Sequence, residues 1–317
     1  MGEAMKVQAC SVLLPLYNGS KFIDQSFNTI LASMREIDEL VIVNDGSEDI
    51  SVEDLKKLES RDSRIKIISK EHSGLVETLN YGIQLCENEL IARADIDDKY
   101  SPKRISRQIQ FMSNHPNCAA VFSDYQIQDV SGRNLGIIPT AISPLLTRFS
   151  LINPQRTPHP SVMFRKSAVL EVNGYKSEYY PAEDLSLWID LSKSFEIATI
   201  PETLLYYTLH KGNITSKNQS LMIAKTESLI TSFGKKISIE AILHEAERTF
   251  NIYDFTTHAM TRKVLFFRDL SRYLRQNPEY RFTHLPKQIS LFAQTCRPNL
   301  IPVVLDLKKM QKRRKNL

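Results

Sequence analysis

Asp95-Ile96-Asp97-Asp98 places three carboxylates within four residues, directly after the apolar-leaning run 89–94. If the segment stays extended, Asp95 and Asp97 point to one side and Ile96 to the other. Like charges this close raise one another's proton affinity unless a cation joins them. Oxygen-only ligands, few in number and open to further partners, suit Mg2+ or Mn2+ carrying substrate phosphates. For an isolated D-x-D, a solvated acidic turn is the commoner outcome, so the neighbours must decide. A second acidic pair, Glu183-Asp184, opens a helical segment that continues through Leu185, Leu187, Trp188 and Leu191. Acids at a helix N-terminus are stabilised by the helix dipole, which is one sufficient reason for them.

The elements that hold these groups follow from the hydrophobic pattern. Residues 9–16 form a short apolar run with β-prone residues, a buried first strand, and Tyr17-Asn18-Gly19-Ser20 supplies turn chemistry. Phe22, Ile23, Phe27, Ile30, Leu31 and Met34 recur at helical spacing. A second strand, 39–43, is broken at Asn44-Asp45-Gly46-Ser47. A helix containing Leu55 and Leu58, a strand over 65–68, a helix over 74–87 and a strand over 89–94 follow. Alternating strands and helices predict a parallel sheet covered by helices, with ligands at the carboxyl ends of the strands. The Tyr17, Asp45 and Asp95–Asp98 clusters all fall there. Further on, Pro102 starts a helix through Asn114, 119–126 reads as a strand, and 131–133 as a turn. Residues 140–160 read as an irregular, proline-rich loop facing an acceptor. A strand over 161–165, a helix over 183–194 and a last strand over 203–208 complete the pattern. From 218 it becomes mostly helical, which divides the chain into 1–217 and 218–317.

Bulk properties exclude several classes. Apolar residues make up 42% and charged residues 24% of 317, an ordinary globular balance. Cys10, Cys86, Cys118 and Cys296 lack metal or disulfide spacing and read as free thiols in a reducing cytoplasm. No apolar run approaches the roughly 18 to 20 residues of a spanning helix, and no signal-peptide core precedes the first strand. The net charge of +5 is concentrated at the end, where residues 306–317 carry six bases and one acid. The tail is either a solvated end or a peripheral contact with anionic membrane headgroups, worth ~1 kcal/mol per basic residue. It lacks the interleaved aromatics of a nucleic-acid binder. The helical region before it would serve equally as a homodimer contact.

Five segments, in order over residues 8–212, carry a resemblance: 12–18 (VLLPLYN), 41–47 (VIVNDGS), 74–82 (GLVETLNYG), 92–98 (ARADIDD) and 182–188 (AEDLSLW). Together they resemble the family 2 glycosyltransferases of bacterial polysaccharide synthesis, which have the Rossmann-like GT-A fold. The resemblance implies an α/β catalytic unit over 1–217 that binds a nucleoside-diphosphate sugar, with UDP favoured, and a helical extension beyond. It implies nucleoside contacts from Pro15, Tyr17 and Asn18, and a contact from Asp45 to the imide N–H of uracil. Asn80 would lie near the ribose or diphosphate. Relatives often carry an acid where Asn44 stands and an arginine where Leu79 stands, which leaves Lys70, His72 or Arg93 to neutralise phosphate. Asp95, Asp97 and Asp98 would hold the Mn2+ or Mg2+, Asp97 foremost, with one of them on the ribose. By the same resemblance Asp184 is the general base of an inverting displacement, and Glu183 contacts acceptor or sugar hydroxyls. His159 falls near the donor sugar or acceptor; His210 falls where metal or diphosphate is contacted, with Lys211 beside it. The acceptor would be a polysaccharide or a polyprenyl-linked oligosaccharide at the inner face of the cell membrane. Trp188 reads as core or as a wall on which a sugar stacks.

Two other functions fit parts of this pattern. A nucleotidyltransferase would need a glycine-rich phosphate loop after the first strand, where Tyr17-Asn18-Gly19-Ser20 has one glycine. A non-catalytic sugar-nucleotide binder or scaffold would have no need of the carboxylates at 183–184.

Overall fold

The computed structural model describes residues 8–141, 143–210, 212–213, 218–234 and 238–252, with positions 261–262, 265–266, 268–270 and 273. Lys211, Cys296 and the basic tail 306–317 lie outside the described residues.

Four strands build the first half: β1 (Cys10–Leu16), β2 (Glu39–Asp45), β3 (Ile65–Lys70) and β4 (Leu90–Arg93). They lie parallel in the order β3-β2-β1-β4, so their carboxyl ends share one edge. Successive side chains of a strand face opposite sides, and the core divides accordingly. Val12, Leu14 and Leu16 of β1 join Leu40 and Ile42 of β2 against α1 (Ile23–Ser33), α2 (Val52–Glu59) and α4 (Arg104–Asn114). Leu13, Val41 and Val43 face the other way, towards Val76, Leu79 and Ile83 of α3 (Leu75–Leu85). Close approach there requires a glycine: a Cβ on Gly82 would stand 2.3 Å from Leu13 Cδ1.

Beyond β4 the sheet changes direction. The short β5 (Lys99–Tyr100) follows the aspartates; then come β6 (Cys118–Asp129), β7 (Asn134–Ile138), β8 (Met163–Arg165) and β9 (Glu196–Leu209). β8 runs antiparallel between β4 and β6, while β9 lies parallel to β6 and antiparallel to β5. The last strand is longer than the 203–208 expected. Across Pro201 the register steps from Ser123↔Ile200 to Asp124↔Thr203, so a bulge absorbs the proline and one strand runs from Glu196 to Leu209.

Residues 140–160, expected to be irregular, contain the helix α5 (Pro144–Ser150). Ser143 caps it by accepting the Leu146 amide, and Pro144 occupies the first turn, where its missing N–H costs nothing. α6 (Lys166–Glu171) and α7 (Glu183–Ser194) follow. As the pattern predicts, the chain after 218 is helical where described: α8 (Gln219–Gly234) and α9 (Ile239–Ile252). Phe233, Ile242 and Ala246 share one core with Phe149 of α5 and Leu187 and Trp188 of α7. Two buried ion pairs add to that contact. Arg262 grips Asp124 through both terminal nitrogens, and Arg156 meets Asp269 at 3.3 Å. No helix among the described residues is long and apolar enough to cross a membrane.

Candidate active site

The shared carboxyl edge brings the first cluster together. Pro15 is half-buried within β1 opposite Val43. Asn18, at φ 48°, takes the left-handed conformation that asparagine tolerates. Its side-chain oxygen accepts the Glu48 amide at 2.9 Å, and its own amide donates to Ser47 Oγ at 3.1 Å, tying the loops after β1 and β2. Asp45 is buried beneath them. The Ser73 and Gly74 amides, each at 2.9 Å, and Lys70 Nζ donate to its carboxylate, with His72 Nδ1 at 3.0 Å from Oδ2. Burial raises its proton affinity, but the Lys70 and amide hydrogen bonds outweigh that and hold it below the usual carboxylate range. Tyr17, half exposed, stacks on His72.

The aspartate loop follows β4. One oxygen from each of Asp95, Asp97 and Asp98 lies within 4.8 Å of the others. Each is held differently. Asp95 Oδ2 pairs with the buried Arg93 Nη1 at 2.6 Å, and its backbone amide donates to Tyr100 Oη. Asp97 Oδ2 accepts from His210 Nε2 at 2.8 Å and from Asn213 Nδ2 at 3.2 Å. Asp98 is fully buried; its Oδ1 accepts the Thr208 amide of β9 at 2.8 Å, and its Oδ2 has no partner. Burial and the neighbouring carboxylates push Asp98 well above the usual range; burial likewise raises Asp95, against the opposing charge of Arg93. Three clustered hard oxygen donors, one of them buried and unsatisfied, fit a divalent cation of the Mg2+ or Mn2+ kind. His210 Nδ1 accepts the Gly212 amide, so its Nε2 carries the proton given to Asp97. As placed, His210 orients an aspartate, and ligation would require Nε2 to give up that proton.

The second acidic pair sits on the first turn of α7. Glu183 is 4% exposed with Oε2 unpartnered, and Asp184 is the more open of the two, its Oδ1 accepting the Leu185 amide at 2.7 Å. Burial lifts Glu183 to about 7, helped by the Asp184 charge, and lifts Asp184 to about 6 against the Leu185 amide and Arg93. Arg93 thus acts on both carboxylate groups and also helps burial to hold His159 neutral, well below its ordinary value.

His159 Nε2 shares a 2.7 Å hydrogen bond with Tyr175 Oη. Tyr175 is fixed in turn by Asn80, whose amide nitrogen donates to the Tyr175 carbonyl at 2.8 Å while its oxygen accepts the Tyr175 amide at 2.9 Å. Gly174, at φ +66°, makes room: a Cβ there would meet Asn80 Oδ1 at 2.6 Å. Both ends of the Asn80 amide are therefore committed to the protein. Trp188 is core, 0% exposed and edge-on to Phe122 and His159; the sugar-stacking alternative is excluded by burial. Tyr175, Asn213 and Thr208 carried no motif, and only their contacts across the fold reveal them.

Residues 11–172 match the sequence profile of Glycosyl transferase family 2. An O-antigen biosynthesis glycosyltransferase of Escherichia coli, WbnJ, is 27% identical over 239 residues, covering 74% of this chain and 92% of that protein. Staphylococcus aureus TarS 1–349 in complex with UDP-GlcNAc superposes with a TM-score of 0.58 at 17% identity, covering 97% of this chain and 90% of that one. The mannosyltransferase PcManGT of Pyrobaculum calidifontis, in complex with GDP-Man and Mn2+, gives 0.56 at 12% identity, over 95% and 84%. A profile that spans more than half of the chain, joined to the GT-A fold of those neighbours, leads to one conclusion: the chain belongs to glycosyl transferase family 2 and is a glycosyltransferase.

Proposed function

We propose that this glycosyltransferase is inverting and metal-dependent, and moves a sugar from a nucleoside diphosphate, UDP in preference, onto a polysaccharide or lipid-linked oligosaccharide. The observation that carries the reading is the pairing of an oxygen-donor triad, Asp95, Asp97 and Asp98, with a separate carboxylate of raised proton affinity at Asp184. A cation held by the triad would supply positive charge against the departing diphosphate. Asp184, more open than Glu183, accepts the proton of the acceptor hydroxyl as that oxygen bonds to the anomeric carbon. The bond to the diphosphate oxygen breaks on the opposite face, and the released nucleoside diphosphate takes its electron pair. Glu183 borders the acceptor or sugar hydroxyls; Pro15, Tyr17, Asn18 and Asp45 form the nucleoside slot. UDP-GlcNAc in the TarS complex and the O-antigen biosynthesis named for WbnJ support the donor and acceptor classes. The basic tail, outside the described residues, would bring the enzyme to anionic headgroups at the membrane surface.

The test is release of the nucleoside diphosphate from a panel of UDP-, GDP- and dTDP-sugars with Mn2+ or Mg2+. Release that stops with chelator and in Asp184→Asn supports the reading. Undiminished release in Asp184→Asn removes the assigned base, and no turnover with any donor favours a binding protein.

A further inference from the structure

At the carboxyl edge of β1 and β2 the His72 imidazole lies face to face with the Tyr17 phenol, ring centroids 4.2 Å apart and 23° from parallel. Its Nδ1 is 3.0 Å from Asp45 Oδ2 and 3.2 Å from the Asp45 carbonyl oxygen. Both neighbours are acceptors only, so Nδ1 carries the ring proton. A flat nitrogen heterocycle therefore stacks on an aromatic residue and donates a ring N–H to a buried carboxylate. A uracil ring, with its imide N–H, would make the same two contacts in the same place. We propose that His72 is an internal stand-in for the nucleobase, one that fills the base slot of the free protein and swings out when a nucleotide binds. This rests on the reading of Tyr17 and Asp45 as that slot.

The contacts of Asp45 favour exchange over a permanent link. A carboxylate has about four acceptor positions, and Lys70, Ser73, Gly74 and His72 supply four donors. Two are backbone amides that fix the entry to α3. Lys70 also donates to Ser73 Oγ and the Glu71 carbonyl oxygen. Of these four, the His72 ring can leave without opening the turn. It has somewhere to go, since its side chain is 52% exposed and Tyr17 is 48% exposed. Its departure frees a lone pair on Oδ2 beside the uncovered face of Tyr17. Apparent affinity is then the intrinsic affinity reduced by the fraction of molecules in which the slot is open.

The experiment is calorimetric titration of the full chain with uridine and with UDP, Mg2+ present throughout. His72→Ala is expected to bind both about three- to tenfold more tightly, by the same factor for each. In a proton NMR titration of the unmodified protein, the His72 Cε1–H resonance, displaced by the Tyr17 ring current, moves on adding uridine to the position of a solvent-exposed histidine. Weaker binding of UDP but not uridine in His72→Ala would make His72 a phosphate ligand and overturn the proposal. Weaker binding of both would make it a direct base contact, and unchanged binding would mean that it does not compete; either also overturns it. Tyr17→Ala and Asp45→Asn test the underlying slot separately. If neither lowers uridine affinity, the base-slot reading itself fails, whatever His72→Ala shows.

Discussion

Arg93 Nη1 lies 2.6 Å from Asp95 Oδ2, with the Arg93 side chain 4% exposed. The same cation opposes the burial of Asp95, Glu183 and Asp184. One buried charge at the end of β4 thus serves carboxylates that arrive from two distant parts of the chain. The cluster that would face a diphosphate and the pair that would face an acceptor are electrostatically one site.

Loss of the base should affect the chemical step and spare nucleotide binding. Asp184→Asn preserves shape and its acceptance of the Leu185 amide, so kcat is expected to fall roughly 10²- to 10⁴-fold with UDP affinity unchanged. Steady-state kinetics and calorimetry on the same preparation read both quantities.

Acid should silence the enzyme before it unfolds it. With Asp184 raised to about 6 and Glu183 to about 7, the deprotonated base is lost as pH falls through that window, and kcat declines with it. Stability moves the other way. A carboxyl with a raised folded-state pKa binds more protons folded than unfolded, so stability is lost as pH rises from about 4.5 to 7. Glu183→Gln should therefore be more stable than the parent at pH 8, by about 3 kcal/mol, with the advantage gone near pH 4.5. Thermal melts at the two pH values decide it.

Asn80→Ala separates the clamp from a ribose or diphosphate contact. Without its two hydrogen bonds to Tyr175, the Tyr175–His159 pair loses its anchor. A fall in kcat of roughly ten- to a hundredfold with UDP affinity retained is expected. Weakened UDP binding with normal kcat would return Asn80 to the nucleotide.

Arg262→Met strips a buried partner from Asp124 and should cost about 3–5 kcal/mol in urea denaturation. Asp124 would still accept from the Thr140 amide and hydroxyl, each at 2.8 Å, but its charge would be uncompensated. Adding Asp124→Asn should recover part of the loss. Strictly additive losses would mean that the two side chains contribute independently.

The parallel half of the fold is readable because β1, β2 and β4 are buried almost throughout and appear as unbroken apolar runs. Its turns mark where ligand groups gather, so Asp45 and the aspartates could be placed at one edge from local pattern alone. Long-range pairing was not readable. The burial of Asp98 depends on Thr208, 110 residues away, and the commitment of Asn80 depends on Tyr175, 95 residues away. Two elements departed from the local pattern at prolines: Pro144 begins a helix where a loop was expected, and Pro201 rides a bulge inside a strand expected to begin only at Thr203. Both outcomes depend on neighbours that no local window contains.

The burial of Trp188 has a practical consequence. It is the chain's one tryptophan, sealed from solvent, its ring centroid 5.7 Å from that of His159 and 6.5 Å from that of Tyr175. All indole emission from this protein therefore originates beside the pair that Asn80 anchors. Excited at wavelengths that tyrosine does not absorb, this one indole can follow rearrangement of that corner during turnover, with no label attached.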